Sequence, residues 1–142
     1  MENNTFYNEI LIEHNMHPLH KHALDNPDIV LQGKNPSCGD DITLELKLKD
    51  GIITDGAFVG EGCAISQASA DIMLDLIIGK KKDEALELAD DFIGMIQKTA
   101  TEEQIDKLEE ASILRSVSDM PARVKCAVLG WRTLKEIGQD GK

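Results

Sequence analysis

Three cysteines and one aspartate provide the side chains best suited to metal or sulfur chemistry: Cys38, Asp40, Cys63 and Cys126. The first two lie two residues apart in the segment NPSCGD (35–40), where Gly39 allows a turn that brings their side chains to one point. The other two lie in GEGCAIS (60–66) and PARVKC (121–126). Three thiolates and a carboxylate make a complete tetrahedral set of ligand types for zinc.

The N-terminal sequence and the number of cysteines indicate the cellular compartment in which the protein is expected. No run of about 18 apolar residues occurs, and the start MENN has no basic and apolar stretches of a secretory signal. We therefore expect a cytoplasmic protein. In a reducing compartment an odd number of cysteines is poorly explained by disulfides, which leaves metal ligands, reactive thiols or buried core residues.

Length and charge restrict the class of protein. With 142 residues, of which 42% are hydrophobic, the chain is expected to form one domain over 1–142. The net charge of −11 would repel nucleic acid, and no basic stripe is present beyond Lys80-Lys81-Lys82. We therefore expect no nucleic-acid partner, and the lack of a long apolar run predicts that the chain does not enter a membrane.

A small antiparallel sheet is predicted to position the first two motifs. An edge strand is expected over 28–31, and residues 42–49 alternate between apolar and polar without interruption. Asp50-Gly51 favours a hairpin turn, and the return strand 52–59 is expected to place Ile53 and Phe58 on opposite faces. This hairpin would return the chain to Cys38 and deliver Cys63 beside it.

Helices are expected to cover one face of this sheet, which predicts an α+β fold with three antiparallel strands and about five helices. Their predicted positions are 5–14, the residues between Cys63 and Gly79, a segment beginning near Asp83, a segment capped by Thr101, and a last helix from near Pro121. The acidic stretch 99–117 contains few apolar residues and is interpreted as a helical addition at the surface.

Two of the thiols, those of Cys63 and Cys126, are expected near the beginnings of helices. Cys63 is expected just before a helix, where unpaired N–H groups and the helix dipole favour a thiolate. Cys126 is expected at the edge of the apolar stripe of the last helix, between Arg123 and Lys125 on one side and the core on the other. Both cations could stabilise an anionic site.

Four histidines form a further candidate metal group: His14, His17, His20 and His22. They cross a helix end and a proline-containing loop, so solvated histidines are the preferred interpretation.

Taken together and in this order, the three cysteine motifs resemble those of the U-type iron–sulfur assembly proteins, the IscU and NifU family. The resemblance covers nearly the whole chain. Lys125 stands where scaffold members carry a histidine, and the acidic stretch resembles the insertion that marks the SufU branch. The N-terminal segment differs from the family pattern at Asn15 and at Leu19-His20.

This resemblance implies a SufE/NifU-like fold and a sulfurtransferase activity. Zn²⁺ would be held by Cys38, Asp40, Cys63 and Cys126. Persulfide sulfur would come from a SufS-type cysteine desulfurase, with Cys38 as its acceptor and Arg123 and Lys125 as catalytic cations, and a downstream iron–sulfur assembly scaffold would receive it. The alternatives are a scaffold that carries a [2Fe-2S] cluster on the same residues and a structural zinc domain.

Overall fold

The computed structural model describes residues 2–36 and 39–140, with side chains over 9–36 and 39–137; Ser37 and Cys38 lie outside these ranges. The elements are α1 (Glu2–Met16), β1 (Ile29–Asn35), β2 (Asp40–Lys49), β3 (Ile52–Glu61), α2 (Ala64–Ile77), α3 (Lys82–Ile96), α4 (Glu102–Asp106), a 3-10 segment (Glu109–Asp119) and α5 (Pro121–Asp140). The predicted α+β fold is confirmed. Within the described ranges, no helix is both long enough and apolar enough to cross a membrane.

The sheet has the order β1-β2-β3 and is antiparallel throughout, so β2 lies in the centre. The alternation along β2 is that of a strand with one buried face, and the side chains of Ile42, Leu44 and Leu46 are completely buried. β1 is an edge strand as expected but longer than 28–31, since it continues to Asn35, which pairs with Asp40. This added length joins the sheet to the first cysteine motif.

The β2–β3 hairpin turns at Asp50 and Gly51, which both have positive φ, as the Asp-Gly pair predicts. The expected placement of Phe58 opposite Ile53 is wrong. Leu48 pairs with Ile53, whereas Lys47 pairs with Asp55, so Thr54 is an extra residue in β3. A bulge of one residue reverses the alternation that follows, and both Ile53 and Phe58 therefore face the core.

Helices α2 and α5 pack on each other through a buried polar link. The indole Nε1–H of Trp131 donates to Ser69 Oγ at 2.9 Å, and this hydroxyl donates to the carbonyl of Ala127 at 2.7 Å. Trp131 also stacks on Phe92 of α3, with ring centroids 4.1 Å apart. These directional contacts define how α5 lies against α2, which matters because Cys63 and Cys126 belong to those two helices.

The stretch 99–117 is helical, and Thr101 forms the expected capping box with Gln104. Its interpretation as a surface addition is wrong, because its apolar side chains are almost fully buried in the main core: Ile105, Leu108, Ala111, Leu114 and Val117. These five residues recur at every third position, which suits the three-residue turn of a 3-10 helix. The acidic residues between them form the exposed side.

We expect Leu108→Ala to lower the free energy of unfolding by about 2–5 kcal/mol, because the side chain is fully buried and its loss leaves a cavity. Urea denaturation followed by circular dichroism measures this. Glu103→Ala, in the same stretch but exposed, is the control and should stay within about 0.5 kcal/mol of the unaltered chain. Equal small effects of both changes would contradict the core role of this stretch.

Candidate metal centre

Asp40, the first residue of β2, is a buried carboxylate with only one oxygen engaged by described residues. The side chain is 2% exposed, and its Oδ1 accepts hydrogen bonds from the Cys63 N–H at 2.9 Å and from the Ser66 hydroxyl at 3.3 Å. Its Oδ2 is buried and has no hydrogen-bond partner there. An ionised oxygen in this position is costly unless a cation or a donor approaches it.

Cys63 is the N-cap of α2, as its motif predicts. Its Sγ accepts a hydrogen bond from the Ser66 N–H at 3.4 Å, so the sulfur lies against the positive end of the helix. The thiol is partly exposed, whereas Asp40 and Cys126 are buried. Among the described members of this group, Cys63 is therefore the one that solvent or a partner can reach.

Cys126 enters the group from the first turns of α5. Its side chain is completely buried, so the position at the edge of the apolar stripe is still an interior one. One ligand atom each of Asp40, Cys63 and Cys126 lie within 4.8 Å of one another. The structure thus brings together three of the four predicted ligands, from one strand and two helices.

This arrangement fits a zinc ion. Two sulfurs bound tetrahedrally at 2.3 Å are separated by about 3.8 Å, so small side-chain rotations bring the three atoms to bonding positions. The unpartnered Asp40 Oδ2 is the oxygen that a cation would satisfy. Carboxylate and thiolate are both accepted zinc ligands.

Cys38, the fourth predicted ligand, lies outside the described residues, and its ligand role stays a prediction. The described residues on either side of Cys38 lie close together, because Asn35 pairs with Asp40 and the Gly39 N–H donates to the Asn35 carbonyl at 2.9 Å. Gly39 has a φ of +74°, which supports the turn that its presence predicts.

The two predicted catalytic cations lie on different sides of α5. Arg123 lines a groove of about 350 Å³ together with Cys63, and the other walls are mainly apolar: Leu11, Ile12, Ala64, Ile65 and Met120, with Asn15. Lys125 instead lines a hollow with Asn35, Lys34 and Arg132. Both cations are exposed, and their catalytic roles stay predictions.

The histidines do not take part in this group. His17 and His22 are exposed, as the preferred interpretation has it. That interpretation is wrong for His14 and His20, which bind acidic side chains on α2.

Sequence reasoning missed two residues that shape the centre, Ser66 and Gly62. Ser66 binds both Asp40 and Cys63, and only its position three residues after a helix N-cap hints at this. A Cβ on Gly62 would lie 2.8 Å from Asp40 Oδ1 and 2.4 Å from Ser66 Oγ. Glycine is needed there because the carboxylate occupies the space of a side chain.

Comparison with known proteins connects this centre to one family. The family described as NifU-like N terminal domain matches residues 6–127. The chain is 44% identical over 133 residues to the iron-sulfur cluster assembly scaffold protein IscU of Streptococcus pyogenes, covering 94% of this chain and 82% of that one. It is 41% identical over 132 residues to the zinc-dependent sulfurtransferase SufU of Bacillus subtilis, covering 93% and 88%.

A solved structure agrees with these matches. It is that of FiSufU from Fervidobacterium islandicum, a candidate iron-sulfur cluster assembly scaffold protein of the SUF system. The two chains superpose with a TM-score of 0.86 and 36% identity, covering 93% of this chain and 96% of that one.

We expect Gly62→Ala to weaken zinc binding about tenfold or more without removing any ligand, because the added methyl would clash with the Ser66 hydroxyl and with the Asp40 carboxylate that it binds. Competition with a chromogenic chelator measures the affinity. The control is Gly130→Ala in α5, whose Cβ would meet only ordinary contacts of 3.6 Å or more. An unchanged affinity in Gly62→Ala would show that the position of Asp40 does not govern metal binding.

Proposed function

Since the chain belongs to the NifU-like N-terminal domain family of iron–sulfur cluster assembly proteins, we propose that it is a zinc-dependent sulfurtransferase. It would accept persulfide sulfur from a SufS-type cysteine desulfurase and pass it to a downstream assembly scaffold. The observation that carries this proposal is the buried, half-partnered Asp40 carboxylate beside two cysteines. The 41% identity to a zinc-dependent sulfurtransferase supports it.

The residues that would hold zinc are Cys38, Asp40, Cys63 and Cys126. When bound, zinc keeps thiols deprotonated and protects them from oxidation until they are needed. A mixed set that includes a carboxylate differs from the closed thiolate or thiolate–imidazole sets of structural zinc sites. This favours a sulfur-handling centre over a purely structural zinc domain.

In the transfer step, the Cys38 thiolate attacks the terminal sulfur of the desulfurase persulfide. A new S–S bond forms to Cys38, the S–S bond of the donor breaks, and the donor cysteine leaves as a thiolate, so that no external oxidant is consumed. Arg123 and Lys125 would stabilise the negative charge that passes from one thiolate to the other. The reaction requires reduced thiols, so we place it in the cytoplasm.

The desulfurase is proposed to approach along the groove beside Cys63. This groove is lined mainly by apolar side chains, with Arg123 at one wall. Ile12 and Met120 are exposed on its rim, at 54% and 38%. A persulfide-bearing loop with an apolar flank would bury this surface and enter where Cys63 is accessible.

The second candidate function is a scaffold on which a [2Fe-2S] cluster is assembled. The relative from Streptococcus pyogenes is named a scaffold protein, and thiolates are also the ligands of such clusters. Lys125 disfavours the scaffold function, because a lysine immediately before Cys126 supplies no further ligand for a cluster.

Metal and sulfide analysis of protein purified without oxygen decides between the two functions. We expect about one zinc per chain at the thiol centre, no visible chromophore, and stimulation of a SufS-type desulfurase. Cys38→Ala should abolish persulfide labelling of this chain after incubation with desulfurase and cysteine. Bound iron and sulfide without stimulation would establish the scaffold, and labelling that survives in Cys38→Ala would remove Cys38 as the acceptor.

The proposed docking of the desulfurase at the groove beside Cys63 leads to a separate prediction. Ile12→Glu should lower the rate of sulfur acceptance at least tenfold at low protein concentration, because a charge on the apolar rim must be desolvated when the partner binds. Met16→Glu is the matched control, since Met16 is on the same helix, is 66% exposed and does not line the groove. Equal rates in both variants would place the desulfurase elsewhere.

A further inference from the structure

A second group of ligand-type side chains lies where the end of α1 meets α2 and the 3-10 segment. We call it the imidazole–carboxylate cluster, and its members are His14, His20, Asp71, Asp75 and Glu110. We propose that this cluster binds a divalent transition-metal ion, Zn²⁺ or Fe²⁺, at a site separate from the thiol centre. The ligands would be His14, Asp75 and Glu110, whose ligand atoms lie close together. Asp71 positions the two histidines, and His20 binds the Asp75 carboxylate.

Asp71 is completely buried, and both of its oxygens are used inside the cluster. Its Oδ2 binds His14 Nδ1 at 2.7 Å, and its Oδ1 accepts the backbone N–H of His20 at 2.9 Å. A carboxylate that holds one nitrogen of an imidazole and leaves the other facing outward is the usual support of a metal-binding histidine. Asp71 therefore fixes the direction in which His14 Nε2 points.

In its neutral form this fixed ring makes an unfavourable contact, which a proton or a metal ion would relieve. The Asp71 carboxylate can only accept, so His14 Nδ1 carries a proton, and in a neutral ring the lone pair is on Nε2. That nitrogen lies 3.0 Å from Glu110 Oε1, which is also an acceptor. Either a second proton or a metal ion must lie between them.

The charge of the cluster allows it to attract a divalent ion even when its imidazoles are protonated. Three carboxylates surround two imidazoles, so negative charge remains even when both rings are protonated. Burial favours the neutral ring of His14, but hydrogen bonds to Asp71 and Glu110 outweigh it and raise the pKa of His14 above its usual value. The same oxygens would attract a metal cation.

The distances allow coordination after small movements. One ligand atom each of His14, Asp75 and Glu110 lie within 4.8 Å of one another, and His20 Nε2 is 2.7 Å from Asp75 Oδ1. Tetrahedral ligands at 2.0–2.1 Å are about 3.3 Å apart, so the two carboxylates need to rotate inward. Both can do so, because their side chains are 38% and 48% exposed, which also gives an ion a path from solvent.

The ligand types indicate the metal. One imidazole nitrogen with two carboxylates suits Zn²⁺ and Fe²⁺, whereas Mg²⁺ prefers oxygen ligands and water. The cluster is also distant from the thiol centre, since Asp71 lies eight residues along α2 from Cys63, or about 12 Å of helix. The two sites would therefore bind metal independently.

The test uses the full chain with one equivalent of Zn²⁺ already at the thiol centre. Further Zn²⁺, or Fe²⁺ without oxygen, is titrated by calorimetry, and retained metal is measured after desalting. Co²⁺ added in the same way should give weak ligand-field absorption without the intense charge-transfer bands of thiolate ligands. We expect a second equivalent to bind, and a tenfold excess of Mg²⁺ not to displace it.

Glu110→Gln and Asp75→Asn should each weaken this second equivalent about tenfold or more and leave the first unchanged. Both positions are partly exposed, so the variants should fold, which thermal melts of the metal-free proteins verify. Glu109→Gln, the adjacent exposed acid outside the cluster, is the control and should bind like the unaltered chain. Conversely, Cys63→Ser should keep the ion at the cluster.

Three outcomes would overturn the proposal. The first is a single equivalent of metal in the unaltered chain. The second is a second equivalent that binds Glu110→Gln and Asp75→Asn as tightly as it binds the unaltered chain and Glu109→Gln. The third is charge-transfer absorption from the added Co²⁺, which would assign the second ion to the thiols.

Discussion

The constraint on which the functional end of this protein depends is the desolvation of the Asp40 carboxylate. A carboxylate with 2% exposure must be compensated by donors or a cation, and only its Oδ1 finds donors among the described residues. Those donors are the first turn of α2, so the same contact ties the sheet to the helix that carries Cys63. The structural role of Asp40 and its proposed affinity for a metal ion therefore depend on the same carboxylate.

A second requirement is that α5 hold Cys126 at this point. The hydrogen bonds from Trp131 to Ser69 and from Ser69 to Ala127 give the α2–α5 packing a direction that apolar contacts alone do not impose. The stretch 99–117 supports the same packing from the side, because its buried residues lie against the helices. The stretch that resembles an acidic surface insertion therefore supports the helices around the candidate metal centre.

Helix α2 carries polar residues with two different uses along its length. Its N-terminus, at Cys63 and Ser66, serves the thiol centre, and its middle, at Asp71 and Asp75, holds the two histidines. Asp71 is completely buried, and a buried carboxylate is retained only when its partners satisfy it fully. In this chain those partners come from α1 and the segment that follows it.

By itself, the sequence determined the three-stranded antiparallel sheet, the turn at Asp50 and Gly51, the cap at Cys63 and the candidate ligands. These features follow from local patterns: strict alternation, a turn-forming pair, and residues preceding a helical stripe. Tertiary structure alone decided the rest. The extra residue at Thr54 places Phe58 in the core, and the burial of Leu108 makes an acidic stretch part of that core. The packing of α1 on α2 brings His14 into contact with Asp71, which lies 57 residues away in the sequence. Such outcomes depend on contacts between distant segments, which local periodicity does not encode.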